Sequence, residues 1–107
     1  MFIYVNFMNT EELISLIFAL NGSLIFENEE VVIAKYDTDI FIFYAVIPKG
    51  YRIYYEIIIR KETGKMRLVY WDYSKAESFI EMAEATPSKD LRKIVEKYIP
   101  LISIEFL

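Results

Sequence analysis

Between residues 23 and 72 the chain carries five β-prone segments joined by connections of only one to four residues. The segments are 23–27, 31–37, 39–47, 51–60 and 65–72, with turns at 28–30, 38, 48–50 and 61–64. A parallel crossover needs a dozen residues or more, so connections this short leave only antiparallel neighbours. The middle of the chain is therefore expected to form a five-stranded antiparallel meander. The run from Ile40 to Ile47 is apolar on both faces, as a central strand would be.

Helical signals flank the meander. Asn9 followed three places on by Glu12 makes a capping box, and Leu13, Leu16, Ile17 and Leu20 recur at helical spacing before Asn21-Gly22 ends the run. Ser74 with Glu77 makes a second box, predicting a helix to about Ala85. Thr86-Pro87 opens a third, with Leu91, Ile94, Val95 and Tyr98 as its apolar stripe and Pro100 as its stop. Residues 2–8 and 101–107 are β-prone, and the last segment could pair beside the first. The expected order is β-α-β5-α-α-β over one domain, 1–107. That is an α+β fold, a curved antiparallel sheet with the helices packed on one face. This order resembles that of the TATA-binding-protein-like and helix-grip folds. The resemblance rests on element order and implies nothing about activity.

Composition removes whole classes of chemistry. The sequence has no cysteine and no histidine, so disulfides, thiolate nucleophiles, zinc sites built on His or Cys, and Ser-His or Cys-His catalysis are excluded. Only three glycines are present, at 22, 50 and 64, and no phosphate-cradling loop or dinucleotide fingerprint occurs. No cofactor and no metal are expected. The first dozen residues lack a basic leader, and no apolar run approaches a membrane span, so a cytoplasmic protein without membrane contact is expected. Isoleucine is about twice as frequent as leucine and glutamine is missing. With the missing Cys and His, this bias fits a hot-environment source, of archaeal viral or mobile-element origin, and equally the simple bias of a short AT-rich gene.

The net charge of −4 is unevenly spread. Residues 1–50 sum to −5 and residues 51–107 to +1, while 49–67 holds Lys49, Arg52, Arg60, Lys61, Lys65 and Arg67 against Glu56 and Glu62. Register estimated from the turns places Tyr54 opposite Trp71, Glu56 opposite Val69, Ile58 opposite Arg67, and Tyr44 opposite Tyr54. Alternation then separates two faces. One, with Phe41, Phe43, Ala45, Tyr51, Ile53, Tyr55, Ile57, Ile59, Met66, Leu68 and Tyr70, reads as the core. The other carries Ile40, Ile42, Tyr44, Val46, Arg52, Tyr54, Glu56, Ile58, Arg60, Lys65, Arg67, Val69 and Trp71. It is too apolar for idle exposure and too charged for a dry core, and Trp, Tyr and Arg are the residues that interfaces favour.

The first expectation is a non-enzymatic protein-binding or regulatory module. Arg52, Tyr54, Glu56, Arg60, Lys65, Arg67 and Trp71 would contact the partner, and Ile40, Ile42, Tyr44 and Ile58 would form a homodimer interface. The second is nucleic-acid binding through the same face, disfavoured by the net charge. The third is a histidine-free ribonuclease-like enzyme with Glu56 as base, Tyr54 as acid, and Arg52 and Arg67 as phosphate clamps. Against it stands the simpler pairing of Glu56 with a neighbouring arginine across the sheet. A carrier of a small apolar ligand ranks beside the enzyme.

Overall fold

The structure, a computed structural model, describes residues 8–106. Helix α1 (Thr10–Ala19) leads into strands β1 (Ser23–Glu27), β2 (Val31–Asp37), β3 (Phe41–Pro48), β4 (Ile53–Arg60), β5 (Met66–Asp72) and β6 (Ala83–Glu84), and α2 (Lys89–Phe106) closes the order. The six strands lie in one sheet in sequence order, every pair antiparallel. The fold is α+β, and β1–β5 are the expected meander. The sixth strand is a two-residue addition at the β5 edge. The segment expected as a first strand lies outside the described residues except for Met8, whose N–H donates to the Ala76 carbonyl at 3.1 Å.

The helices do not share a face. On the front, Leu13 and Ile17 of α1 pack with Val32, Ala34, Ala45, Ile47 and Tyr54. On the back, Leu91, Val95, Tyr98 and Ile102 of α2 pack with Val31, Ile33, Tyr44, Val46, Tyr55 and Ile57. The reason lies in β2, where Val31, Val32, Ile33 and Ala34 point alternately to the two sides and each is at most 1% exposed. A strand apolar on both sides requires cover on both. The likeness to one-sided, helix-gripping sheets ends here.

Helix α1 is bounded as expected. The Asn9 side chain accepts from the Glu12 N–H at 2.8 Å, and the end is made by Asn21 at φ 61°. Gly22 then donates its N–H to the Ile17 carbonyl at 2.9 Å. A Cβ on Gly22 would sit 2.6 Å from that same oxygen and against the Ile17 side chain. Gly22→Ala is therefore expected to cost about 1–3 kcal/mol by overpacking, read as a lower urea midpoint at unchanged slope.

Residues 74–85 are not a helix. The Asp72 carboxylate accepts from the Ser74 N–H at 2.8 Å, and the Glu81 carboxylate accepts from the Glu77 N–H at 2.7 Å. These local bonds turn the chain through one 3-10 turn, Phe79–Glu81, before β6 pairs with Trp71 and Asp72. Ala76, Phe79 and Met82 all reach the front core, so the Ser74 and Glu77 that read as a capping box open an irregular covering segment instead.

The C-terminal strand expected over 101–107 is also corrected, because α2 runs through Pro100 to Phe106. Ser88, not Pro87, starts this helix, its hydroxyl accepting from the Leu91 N–H at 3.2 Å. Pro100 removes one intrahelical bond, but it lies on the exposed side. Leu91, Val95, Tyr98 and Ile102 meanwhile keep one apolar line buried against the sheet.

Between β4 and β5 the register is as expected, with Tyr54, Glu56 and Ile58 opposite Trp71, Val69 and Arg67. Between β3 and β4 it is displaced by three: Tyr44 faces Ile57 and Ala45 faces Glu56. The cause is the fate of Tyr51 and Arg52, which do not pair with β3. The Tyr73 N–H donates to the Arg52 carbonyl at 2.9 Å, and the Tyr73 hydroxyl to the Tyr51 carbonyl at 2.8 Å. An odd displacement exchanges the faces of β3. Phe41, Phe43 and Ala45 come to the front with Glu56, and Ile42, Tyr44 and Val46 go to the back.

Candidate functional site

The front face has a covered half and an open half. In the covered half Glu56 is 3% exposed and Tyr54 1% exposed, while Trp71 is half-buried. Tyr36 comes from the neighbouring hairpin, where it stacks on its cross-strand partner Phe43 with ring centroids 4.6 Å apart. The Tyr36 hydroxyl donates to Glu56 Oε2 at 2.5 Å, the Tyr54 hydroxyl reaches the same oxygen at 3.4 Å, and the Trp71 indole N–H donates to Oε1 at 3.1 Å. No arginine pairs with Glu56 among the described residues, so the simpler pairing gives way to three neutral donors. Burial raises the Glu56 carboxyl above the ordinary carboxylate range, and the three hydrogen bonds act in the opposite direction. Burial, then the adjacent carboxylate, pushes the Tyr36 and Tyr54 hydroxyls well above the usual phenol range. A cavity of about 270 Å³ adjoins this cluster, with Phe43, Phe79 and Met82 among its walls.

In the open half, Phe41, Phe43 and Ile58 are only half-buried and form the floor of a groove of about 460 Å³. Arg60, Lys65 and Arg67, all exposed, stand around it with Met66. Arg67 pairs with Glu84 of β6, Arg60 stands 4.0 Å from Glu62, and Lys61 bonds Asp37 at 2.9 Å beside the groove. Phe43 lines both the groove and the cavity at Glu56, so the two spaces adjoin.

The expected partner-contacting set is thus divided. Arg60, Lys65 and Arg67 stand together with Ile58 around the groove. Tyr54, Glu56 and Trp71 form the buried cluster rather than exposed anchors, because Phe79 and Met82 of the 74–85 segment cover them. Arg52 belongs to neither group, since its guanidinium donates to the Met8 carbonyl at 2.7 Å near Tyr51. The ribonuclease-like arrangement, with Arg52 and Arg67 clamping beside Glu56, is not assembled. Nor do the four residues expected at a dimer interface form one surface. Tyr44 is 2% exposed beneath α2, Ile42 packs on the back, Ile40 lies in the exposed β2–β3 turn, and Ile58 faces front.

Tyr36 and Phe79 were missed as site residues, and Phe43 was assigned to the core. Tyr36 meets Phe43 because the turn spans 38–40, three residues, whereas the one-residue turn expected at Thr38 sets Tyr36 opposite Ile40. Phe79 had no sequence signal, because its position depends on local bonds that displace a helical pattern.

These elements define a class by architecture: an antiparallel sheet between two helices, with a buried carboxylate and an open apolar-basic groove on one face. The sequence matches no family model, and no similar curated protein or solved structure was found. No helix among the described residues is long and apolar enough to cross a membrane.

Proposed function

We propose that the protein is a binding module that takes an acidic, partly apolar protein segment in the groove of Phe41, Phe43 and Ile58. The observation that carries this reading is an apolar floor left open inside a ring of Arg60, Lys65 and Arg67, in a chain of net charge −4. Exposed apolar surface of this kind mostly serves protein contact, and the cations set the charge of what lies on it. Nucleic acid ranks second, because a net charge of −4 opposes the approach of a long polyanion more than that of a short acidic segment. The activity on this reading is binding, regulatory in outcome, and not a reaction.

A peptide alternating Glu with Phe or Leu is the probe, read by fluorescence polarisation beside its Lys-for-Glu counterpart and a single-stranded oligonucleotide. The acidic peptide is expected to bind best. Arg60→Glu with Lys65→Glu is expected to weaken it at least about tenfold while leaving the circular dichroism unchanged. Equal binding of both peptides, or tighter and strongly salt-dependent binding of the oligonucleotide, would overturn the reading. Self-association is its simplest form: the turn bearing Glu29 in a second copy has the matching charge, while Glu27 and Glu30 already face Lys49 and Lys97. Sedimentation of a dimer that the same double variant dissociates would identify that source.

A further inference from the structure

We propose that the cavity beside Glu56 binds a methylated ammonium group. The proposal stands apart from the groove reading. Its first support is a buried acid without a cationic partner: Glu56 is 3% exposed, and among the described residues no lysine or arginine pairs with it. Acids this deeply buried are ordinarily paired. The second support is the character of the adjoining space. The walls around its volume of about 270 Å³ include the rings of Tyr36, Phe43, Trp71 and Phe79, with Phe43 flat on Tyr36 and Phe79 tilted against Tyr36 at 6.0 Å. That volume far exceeds the roughly 30 Å³ share of one water.

The donor set selects among cations. A calcium or magnesium ion needs six or so oxygen ligands, and the described residues hold no group of three potential metal-binding side chains. A primary ammonium brings three N–H donors, whereas Tyr36, Tyr54 and Trp71 leave only about one of the roughly four acceptor sites of the Glu56 carboxylate. A quaternary ammonium asks for no hydrogen bond. Its charge is spread over methyl groups that fit against ring faces, and the carboxylate behind them supplies the opposite charge. The group could come from a free solute or from a methylated lysine, which a protein segment in the groove could pass over Phe43.

Trp71 is the single tryptophan of the chain and lines the cavity, so its fluorescence reports occupancy directly. The wild-type protein is titrated with choline, with an amide-capped trimethyllysine, and with 3,3-dimethylbutanol, the uncharged carbon isostere of choline. Both ammonium ligands are expected to give a saturable change, with the isostere at least about tenfold weaker. Phe43→Leu is expected to weaken choline several-fold with unchanged circular dichroism. Lys65→Glu is expected to leave choline binding as it is, which separates this result from the groove. Equal binding of choline and its isostere, or no saturable change with either ammonium ligand, would overturn the proposal. Trimethyllysine set in an acidic peptide, if tighter than the capped amino acid, assigns a protein source. Equal affinity assigns a free solute.

Discussion

Replacing Glu56 with alanine is expected to lower the stability of the fold by about 3–5 kcal/mol. The substitution removes the acceptor shared by the Tyr36 and Tyr54 hydroxyls and the Trp71 indole N–H. Each donor left without a partner in a buried site costs about 1–3 kcal/mol, and Trp71, being half-buried, is the one that water can reach most easily. Urea denaturation checks this, and a loss below about 1 kcal/mol would mean that the three donors find other acceptors. Glu56→Gln gives the complementary test. Because the folded state holds the Glu56 carboxyl above its ordinary range, the folded state keeps its proton to higher pH than the unfolded chain does. The contribution of this group is full below the unfolded value and declines as pH rises through the folded one. The glutamine variant is expected to lose that decline, so its stability varies less than the wild type's from mildly acid pH upward.

The second large effect concerns α2. Ile102 is fully buried and lies two residues beyond Pro100, on the same line as Leu91, Val95 and Tyr98. Ile102→Ala is expected to cost about 2–5 kcal/mol, the ordinary range for emptying such a site. Pro100→Ala is expected to act in the opposite direction, gaining about 2–2.5 kcal/mol. It restores an intrahelical bond whose loss costs about 3 kcal/mol, less the entropy that proline takes from the unfolded chain. Helical ellipticity should rise with that gain. A loss of stability in Pro100→Ala would contradict a helix continuing through this position.

Local chemistry determined how much could be read in advance. The turn at 61–64 is short and has Gly64 at φ 69°, and the Arg60 N–H meets the Lys65 carbonyl directly, so the β4–β5 register followed from residue spacing. The turn after β3 has no such closure. Its outcome depends on Tyr73, more than twenty residues away, which holds Tyr51 and Arg52 out of the strand pairing. Arg60, Lys65 and Arg67 group with Ile58 as the spacing predicts, because all four lie within that one β4–β5 hairpin. The burial of Tyr54, Glu56 and Trp71 could not be read from the strands alone. Alternation says which side chains share a face but not which half of that face another segment will cover. Pro100 misled for a related reason: a proline predicts a helix end locally, whereas the apolar line through Ile102 is anchored by the sheet behind it.

The strand order carries a kinetic consequence. Among the described residues every strand pairs with the one next to it in sequence, so each of these ladders closes only a short loop and none of β1–β6 must wait for a remote partner. The sheet can grow hairpin by hairpin, and the steps that bring distant residues together are confined to the docking of its covers: α2 returning to β3, and the loop through Ala76 returning to Met8. Folding of these strands is governed less by the search for strand partners than by the docking of a cover on each side of the sheet.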